Sequence, residues 1–107
     1  MKRVMDLLVL AMTGCLVAGA ALASEGGKKG EALFKQHCAV CHPAGGNIVK
    51  PEMTLLKKHL ESHHKNSVKA IVNAMRNPGP GMTKFDAKII PGKDAKAIAE
   101  YILKTFK

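Results

Sequence analysis

Apolar residues recur every three or four positions in four separate stretches of the chain, which is the spacing of helices with one buried face. No stretch of useful length alternates apolar and polar residues as a strand would. The residues predicted to face inward are, in chain order, Gly30, Leu33, Phe34, His37 and Cys41; Met53, Leu56 and Leu60; Val68, Ile71, Val72 and Met75; and Ala95, Ile98, Ala99, Ile102 and Phe106. The pattern predicts an all-α fold, a compact domain of four helices.

Residues that start or stop helices separate the four stretches. Residues 43–47 contain a proline and two glycines that end the first helix, and Pro51 suits the first turn of the second. Ser67 can cap the third helix with its hydroxyl, and the Pro/Gly-rich residues 77–81 end that helix. Pro91 then precedes the last helix, so every predicted helix is bounded by residues that favour a turn.

The first 23 residues differ in character from the rest of the chain. Lys2 and Arg3 give a basic start, an apolar run follows, and residues 21–23 (Ala-Leu-Ala) have the small-residue pattern of a signal-peptidase site. The apolar run is too short and too rich in alanine and glycine for a membrane span. We therefore predict a signal peptide over residues 1–23, export to the periplasm, and a single domain over residues 24–107.

Cys15 leaves a second interpretation of this segment open. Residues 12–15 (Met-Thr-Gly-Cys) resemble a degenerate lipoprotein signal, which would make a lipidated Cys15 the first mature residue and anchor the protein to a membrane. A methionine where leucine is usual, and a better cleavage site after Ala23, favour removal of Cys15 with the signal peptide. Cleavage after Ala23 leaves 84 of the 107 residues and two cysteines.

The chain is strongly basic, with 17 Lys and Arg residues against 8 Asp and Glu and a net charge of +9. Cleavage after Ala23 would remove two basic residues and one acidic residue, leaving a net charge of +8. Such a charge predicts attraction to partners with acidic surfaces, although it is also typical of a well-solvated surface. Export and the scarcity of aromatic residues argue against a nucleic-acid partner.

The clearest chemical signal in the chain is the segment Cys38-Ala39-Val40-Cys41-His42. Two cysteines three positions apart, followed directly by a histidine, are the attachment motif of a c-type haem. One helical turn brings both thiols to the vinyl groups on one edge of the haem ring, and His42 then lies where a ring nitrogen can bind the iron. We predict one haem c, attached covalently through Cys38 and Cys41, with His42 as an axial iron ligand.

Two other interpretations of the cysteine pair are weaker. A thioredoxin-like redox pair would not need the following histidine and would lie in a βαβ pattern, which this chain lacks. A zinc site would need two further ligands, and the candidates for them are His59, His63 and His64. A domain of this size with few aromatic residues has a marginal core, so a buried porphyrin would also supply the missing apolar volume.

The haem iron has a second axial position, for which several side chains compete. The candidates are Met53, Met75, Met82, His59, His63, His64 and, less favourably, a lysine. Met53 and Met75 lie on the apolar faces of predicted helices, where methionine is usually part of the core. Met82 lies in a Pro/Gly-rich loop with no amphipathic pattern to bury it. Because Met/His is the common axial pair of electron-carrying cytochromes, we predict that Met82 is the sixth ligand.

The haem motif in its setting resembles the N-terminal helix of class I cytochromes c, with the pattern Gly30-x-x-x-Phe34-x-x-x-Cys38-x-x-Cys41-His42. Within that class the chain is most similar to cytochrome c6 and its bacterial monohaem relatives, over nearly all of residues 30–106. The other stretches that carry the resemblance are residues 45–49, 51–55, 67–72 and 82–85, with Tyr101 in the last helix. The resemblance implies the four-helix class I cytochrome c fold, haem attachment by Cys38 and Cys41, and iron ligation by His42 and Met82.

Three positions depart from the pattern of the family. Proline usually follows the axial methionine, and here the residue is Thr83, which should loosen the loop. Photosynthetic members often have a glutamine at the position of Ala74, and residues 85–90 replace a glycine-rich stretch. A photosynthetic partner is therefore not implied.

The resemblance implies an electron carrier and not an enzyme, and no acid, base or nucleophile constellation accompanies the predicted haem ligands. We predict a periplasmic monomer that shuttles single electrons between redox proteins, binding neither nucleic acid nor, unless Cys15 is lipidated, a membrane. The alternative is a haem enzyme or gas-binding sensor with an open sixth coordination position. That alternative requires that Met82 does not bind the iron.

Overall fold

The computed structural model describes residues 17–107. Cys15 and most of the predicted signal peptide lie outside the described residues, so cleavage after Ala23 and lipidation of Cys15 stay predictions. Within residues 17–107, no helix combines the length and the apolar character that crossing a membrane requires.

Four α-helices form the described part of the chain: α1, Val17–His37; α2, Lys57–Ser62; α3, Val68–Arg76; and α4, Gly92–Thr105. A single turn of 3-10 helix, Pro43–Gly45, lies between α1 and α2. Residues 17–107 contain no β-strand. The prediction of an all-α fold with four helices is confirmed.

The closest helix contact is the crossing of α1 and α4, and it depends on Gly30. A Cβ atom at Gly30 would lie 2.5 Å from the backbone oxygen of Ala97 and 3.0 Å from the Cβ of Tyr101. Only a residue without a side chain therefore allows the two helices to approach this closely. At the edge of the contact, the Lys29 ammonium lies 2.9 Å from a carboxylate oxygen of Asp94.

Three aromatic rings extend this contact towards the haem motif. The ring centroid of Phe34 lies 5.4 Å from that of Tyr101 and 5.2 Å from that of Phe106, and the last two are 5.8 Å apart. These tilted and edge-on arrangements are the ones that aromatic pairs prefer. Phe34 is fully buried at their centre and thereby fixes the end of α1 against α4.

The hydrophobic core joins α1, α3 and α4. Its buried residues are Phe34, Cys38, Leu60, Ile71, Met75, Ile90, Ala95, Ile98, Ala99 and Ile102. The predicted inner face of the last helix is confirmed for its first four positions, and Phe106 is half-buried against the same core. Ser67 caps α3 as predicted, because its side-chain oxygen accepts a hydrogen bond from the Ala70 N–H at 3.1 Å.

Two predicted helix boundaries are wrong. The first helix already covers residues 17–29, before the predicted start near Gly30, and those residues contain no proline to stop it. The second helix begins at Lys57 rather than at Pro51. The Asn47 side chain holds the intervening segment in a loop, because it accepts hydrogen bonds from the N–H groups of Val49 and Lys50 and donates one to the Met53 carbonyl.

Candidate haem site

A cavity with a volume of about 320 Å³ opens between the haem motif and the segments that face it. Its walls come from the turn after α1, the loop held by Asn47, the short helix α2, one face of α3, and the loop that follows α3. The lining is predominantly apolar, as expected for a site that receives a porphyrin.

The structure places all three residues of the haem motif on the wall of this cavity. They follow directly after α1, where the Cys41 and His42 N–H groups donate to the Cys38 carbonyl at 3.1 and 2.8 Å. These two bonds form one helical turn, the local geometry that the motif requires to present both sulfur atoms and the imidazole to one ring.

Cys38 is the more buried of the two cysteines. Burial, together with a smaller contribution from the neighbouring Cys41, raises the pKa of the Cys38 thiol to about 11. The cause is an apolar environment that disfavours a thiolate. A thioether has no charge to desolvate, so the position suits covalent attachment of haem.

The His42 ring is oriented by a backbone carbonyl. Its Nδ1 lies 2.7 Å from the Gly46 oxygen, and because a carbonyl only accepts, Nδ1 must carry the proton. The Nε2 atom is then left with its lone pair, which is the state that binds a metal. The tight turn that brings Gly46 to this position uses positive φ angles at Ala44 (52°) and Gly45 (80°).

Gly45 ties this turn to the rest of the domain. A Cβ atom there would lie 2.6 Å from the ring of Phe106, so the turn packs directly on the aromatic cluster. The Gly45 carbonyl also accepts a hydrogen bond from the Leu55 N–H at 2.7 Å. The orientation of His42 therefore depends on contacts far along the chain.

Met82 lines the same cavity from the loop that follows α3, here called the ligand loop (residues 77–84). Its side chain is 37% exposed, and Gly81 before it has a φ of 92°. Met75, by contrast, is only 3% exposed and belongs to the hydrophobic core, although it also borders the cavity. Met53 is half-buried on the cavity wall, in the loop before α2 and not on a helix as predicted. The setting of Met82 in an open loop and of Met75 in the core agrees with the sequence analysis.

The remaining candidate ligands are histidines of α2 and the turn after it. His59 and His63 border the cavity, and the Nδ1 of His59 forms a hydrogen bond with the Thr54 hydroxyl. His64 lies in the turn with a φ of 56°. Among the side chains of residues 27–107, no group of three or more His, Cys, Asp or Glu is arranged to hold a metal ion.

The residues on this wall fit a haem c. Two thiols lie at one edge, an imidazole nitrogen is free to bind iron, and a thioether is available on the ligand loop. Thr54, His59 and Lys65 supply a polar part of the lining that would hold the two carboxylates of the group. His37 also borders the cavity, where its ring packs against the edge of Phe85 with centroids 5.9 Å apart.

Sequence reasoning missed two residues that shape the site. Asn47 organises the cavity loop through its side-chain amide, and Arg76 donates a hydrogen bond to the Phe85 carbonyl at 2.9 Å. Both act on backbone groups whose positions follow from the fold. An asparagine after two glycines was a turn signal, whereas nothing in the local pattern pointed to Arg76.

Comparison with known proteins identifies the family of the chain. The family described as cytochrome C oxidase, cbb3-type, subunit III matches residues 25–102. A cytochrome c6 from Cyanidioschyzon merolae is 38% identical over 74 residues, covering 69% of each chain. A cytochrome c6 from Porphyra purpurea is 30% identical over 104 residues, covering 96% of this chain and 94% of its own.

Solved structures show the same relationship. The outer membrane cytochrome F (OmcF) from Geobacter sulfurreducens superimposes with a TM-score of 0.71 and 45% identity, covering 73% of this chain and 99% of its own. Cytochrome c6C from Synechococcus sp. PCC 7002 gives a TM-score of 0.67 and 30% identity, covering 71% and 92%. The four helices, the cavity and these relatives together lead to one assignment: the chain belongs to the class I c-type cytochromes, as a cytochrome c6-like electron-transfer protein with one covalently attached haem c.

Proposed function

We propose that this protein is a periplasmic carrier of single electrons, with haem attached through Cys38 and Cys41 and with His42 and Met82 as the axial iron ligands. The observation that carries the proposal is that the haem motif and Met82, which lie 40 residues apart in sequence, line one apolar cavity. Two methionines among the described residues lie in loops on the cavity wall, and Met82, at 37% exposed, is more open than the half-buried Met53.

The haem supplies one-electron chemistry when it is bound, and the protein sets its potential and its access. The Gly46 carbonyl keeps the proton of His42 on Nδ1 and so directs Nε2 to the metal. A thioether from Met82 would favour ferrous iron, and the apolar wall would disfavour the additional charge of ferric iron. Both effects raise the reduction potential.

The surface beside the cavity supports short-lived docking of a redox protein with an acidic surface. Val40, Ile48 and Val49 are 74%, 64% and 52% exposed, and two of them, Val40 and Val49, border the cavity. Lys84 in the ligand loop and Lys88 beyond it are exposed. Apolar residues next to positive charge suit a small contact that gains speed from electrostatic steering.

Export rests on the N-terminal sequence, and we propose that the mature protein is a monomer beginning at Ser24. Intact mass of the native protein tests this directly: it should equal residues 24–107 plus one haem. A mass that includes a diacylglyceryl group on Cys15 would instead mean an anchored protein.

The visible spectrum of the native protein tests the proposed ligation. A low-spin, six-coordinate ferric spectrum with the weak far-red band of a Met-ligated haem is expected. A high-spin, five-coordinate spectrum would contradict the carrier and support the alternative, an open-site haem enzyme or gas sensor. The exposure of Met82 and the presence of Thr83 after it make this the alternative to exclude first.

A further inference from the structure

The ligand loop is closed at its base by two hydrogen bonds that meet at one residue. The Phe85 N–H donates to the carbonyl of Met75 at 2.9 Å, and the guanidinium of Arg76 donates to the carbonyl of Phe85, also at 2.9 Å. Met75 and Arg76 are the last two residues of α3. Phe85, the residue directly after the loop, is therefore fixed through both of its backbone polar groups to the end of α3.

Between these ends the ligand loop has little internal support. Pro78 and Pro80 have no N–H to donate, and the only backbone hydrogen bond found among residues 78–84 joins the Met82 N–H to the Gly79 carbonyl at a long 3.4 Å. Gly81 has a positive φ, and its one close neighbour is the side chain of Val49. The position of Met82 consequently depends on how firmly the two ends of the loop are held.

Arg76 is well suited to hold one end. It is the only arginine in residues 17–107, it is half-buried, and the ion pairs found in this part of the chain do not include it. A charged group that leaves water needs a strong partner, and here that partner is a backbone carbonyl. The rigid, planar guanidinium fixes the direction of the bond as well as its length.

We propose that Arg76 is a positioning residue for Met82: by bonding the Phe85 carbonyl it holds the ligand loop closed and keeps the thioether at the iron. This inference rests on the proposed ligation by Met82. It also explains how the loop tolerates Thr83, because a hydrogen bond at the base of the loop restricts it in place of a proline after the methionine.

Imidazole measures loop opening, since it can bind the ferric iron only after Met82 has left. Its apparent affinity is therefore proportional to the fraction of molecules with an open loop. In the haem-containing protein, Arg76→Met removes every donor and keeps most of the side-chain length. Loss of a hydrogen bond from a charged donor should raise the apparent imidazole affinity about tenfold.

Two matched variants separate this effect from charge and from general destabilisation. Lys69→Met removes one positive charge from an exposed position of the same helix, and Ile98→Val weakens the core of α4 away from the cavity wall. Neither should change imidazole binding. If either raises the affinity as much as Arg76→Met does, the proposal is wrong. Should Arg76→Met fail to fold, Arg76→Gln has a side chain too short to span to Phe85 and carries the same expectation.

Met82→Ala distinguishes failure of this inference from failure of the proposed ligation. If Met82→Ala abolishes the far-red ferric band while Arg76→Met leaves imidazole affinity unchanged, Arg76 does not position the ligand. If Met82→Ala leaves the band intact, Met82 is not the ligand and both proposals fall.

Discussion

The crossing of α1 and α4 differs from the ligand loop in what holds it together. At the crossing, contact is continuous: Gly30 allows the backbones to meet, Phe34 fills the space beside them, and Ile98 is fully buried. The ligand loop has no such packing, and its position follows from hydrogen bonds at its base and a contact with Val49. One region is determined by shape and the other by a few polar contacts.

This contrast separates the residues that set the redox properties from those that set stability. A change at the crossing alters the stability of the whole domain, because many atoms share each contact. A change in the ligand loop alters the proposed iron ligand and leaves most of the core intact. Stability and potential are therefore expected to respond to different residues.

The largest effect is expected from removing both haem attachment sites. The haem site lies between the haem motif at the end of α1 and the ligand loop, so loss of the haem removes what the two regions share. The double variant Cys38→Ala and Cys41→Ala should retain no haem on the polypeptide in denaturing electrophoresis, because both thioethers are lost. The native protein should retain its haem in the same gel and during acid-acetone extraction. Release of haem from the native protein by that extraction would contradict covalent attachment.

Substitution of two methionines, Met75 in the core and Met82 in the ligand loop, tests most directly whether stability and ligation depend on different regions. Met75→Ala should lower the free energy of unfolding by about 2–5 kcal/mol, because it leaves a cavity in the core, while the axial ligand is unchanged. Met82→Ala should convert ferric iron to a high-spin or water-bound form and lower the reduction potential. Chemical denaturation and spectroscopic redox titration of both variants provide the readouts. The reverse pattern, with Met75→Ala changing the ligand, would show that the assignment of Met82 is wrong.

A smaller loss of stability is expected at the helix crossing from Gly30→Ala. Alanine favours a helix over glycine by about 1 kcal/mol. The added methyl group, however, would lie 2.5 Å from the Ala97 oxygen, and overpacking costs about 1–3 kcal/mol. The clash should outweigh the helix propensity, giving a net loss of up to about 2 kcal/mol in denaturant unfolding. A stabilised variant would show that α4 can move away without cost.

The smallest effect on stability and reduction potential is expected from Lys84→Glu together with Lys88→Glu. The reduction potential should stay nearly constant, whereas the bimolecular rate with an acidic redox protein should fall about tenfold at low salt. The difference should shrink as salt screens charges beyond about 10 Å at 0.1 M. Stopped-flow measurements across a salt series test this.

The matched control for these lysines is Lys93→Glu with Lys104→Glu, on the exposed face of α4. In the described residues α4 contributes only Ile102 to the cavity wall, so this pair should have a weaker effect on the rate. Equal rates for all variants with acidic and basic partners, independent of ionic strength, would show that the lysines serve solubility alone.

Sequence reasoning could predict the parts of the molecule that local chemistry decides. The spacing of Ile98 and Ile102 predicts a helix whichever element it packs against. The Ser67 hydroxyl caps α3 by accepting a hydrogen bond from the N–H of Ala70, only three residues further on. The start of α2 could not be predicted, because the Asn47 side chain overrides the preference of Pro51 for a first helical turn. Arg76 was missed because its partner is a carbonyl that reaches it only once the loop is closed.

The contact between Gly45 and Phe106 has a kinetic consequence. The two residues lie far apart in the chain, so their contact can form only after a long segment has been brought together, at a considerable cost in loop-closure entropy. The turn that orients His42 should therefore become ordered late in folding. Until then the segment that carries Cys38 and Cys41 should stay accessible for haem attachment. The His42 imidazole should reach its final orientation only when α4 packs against the turn.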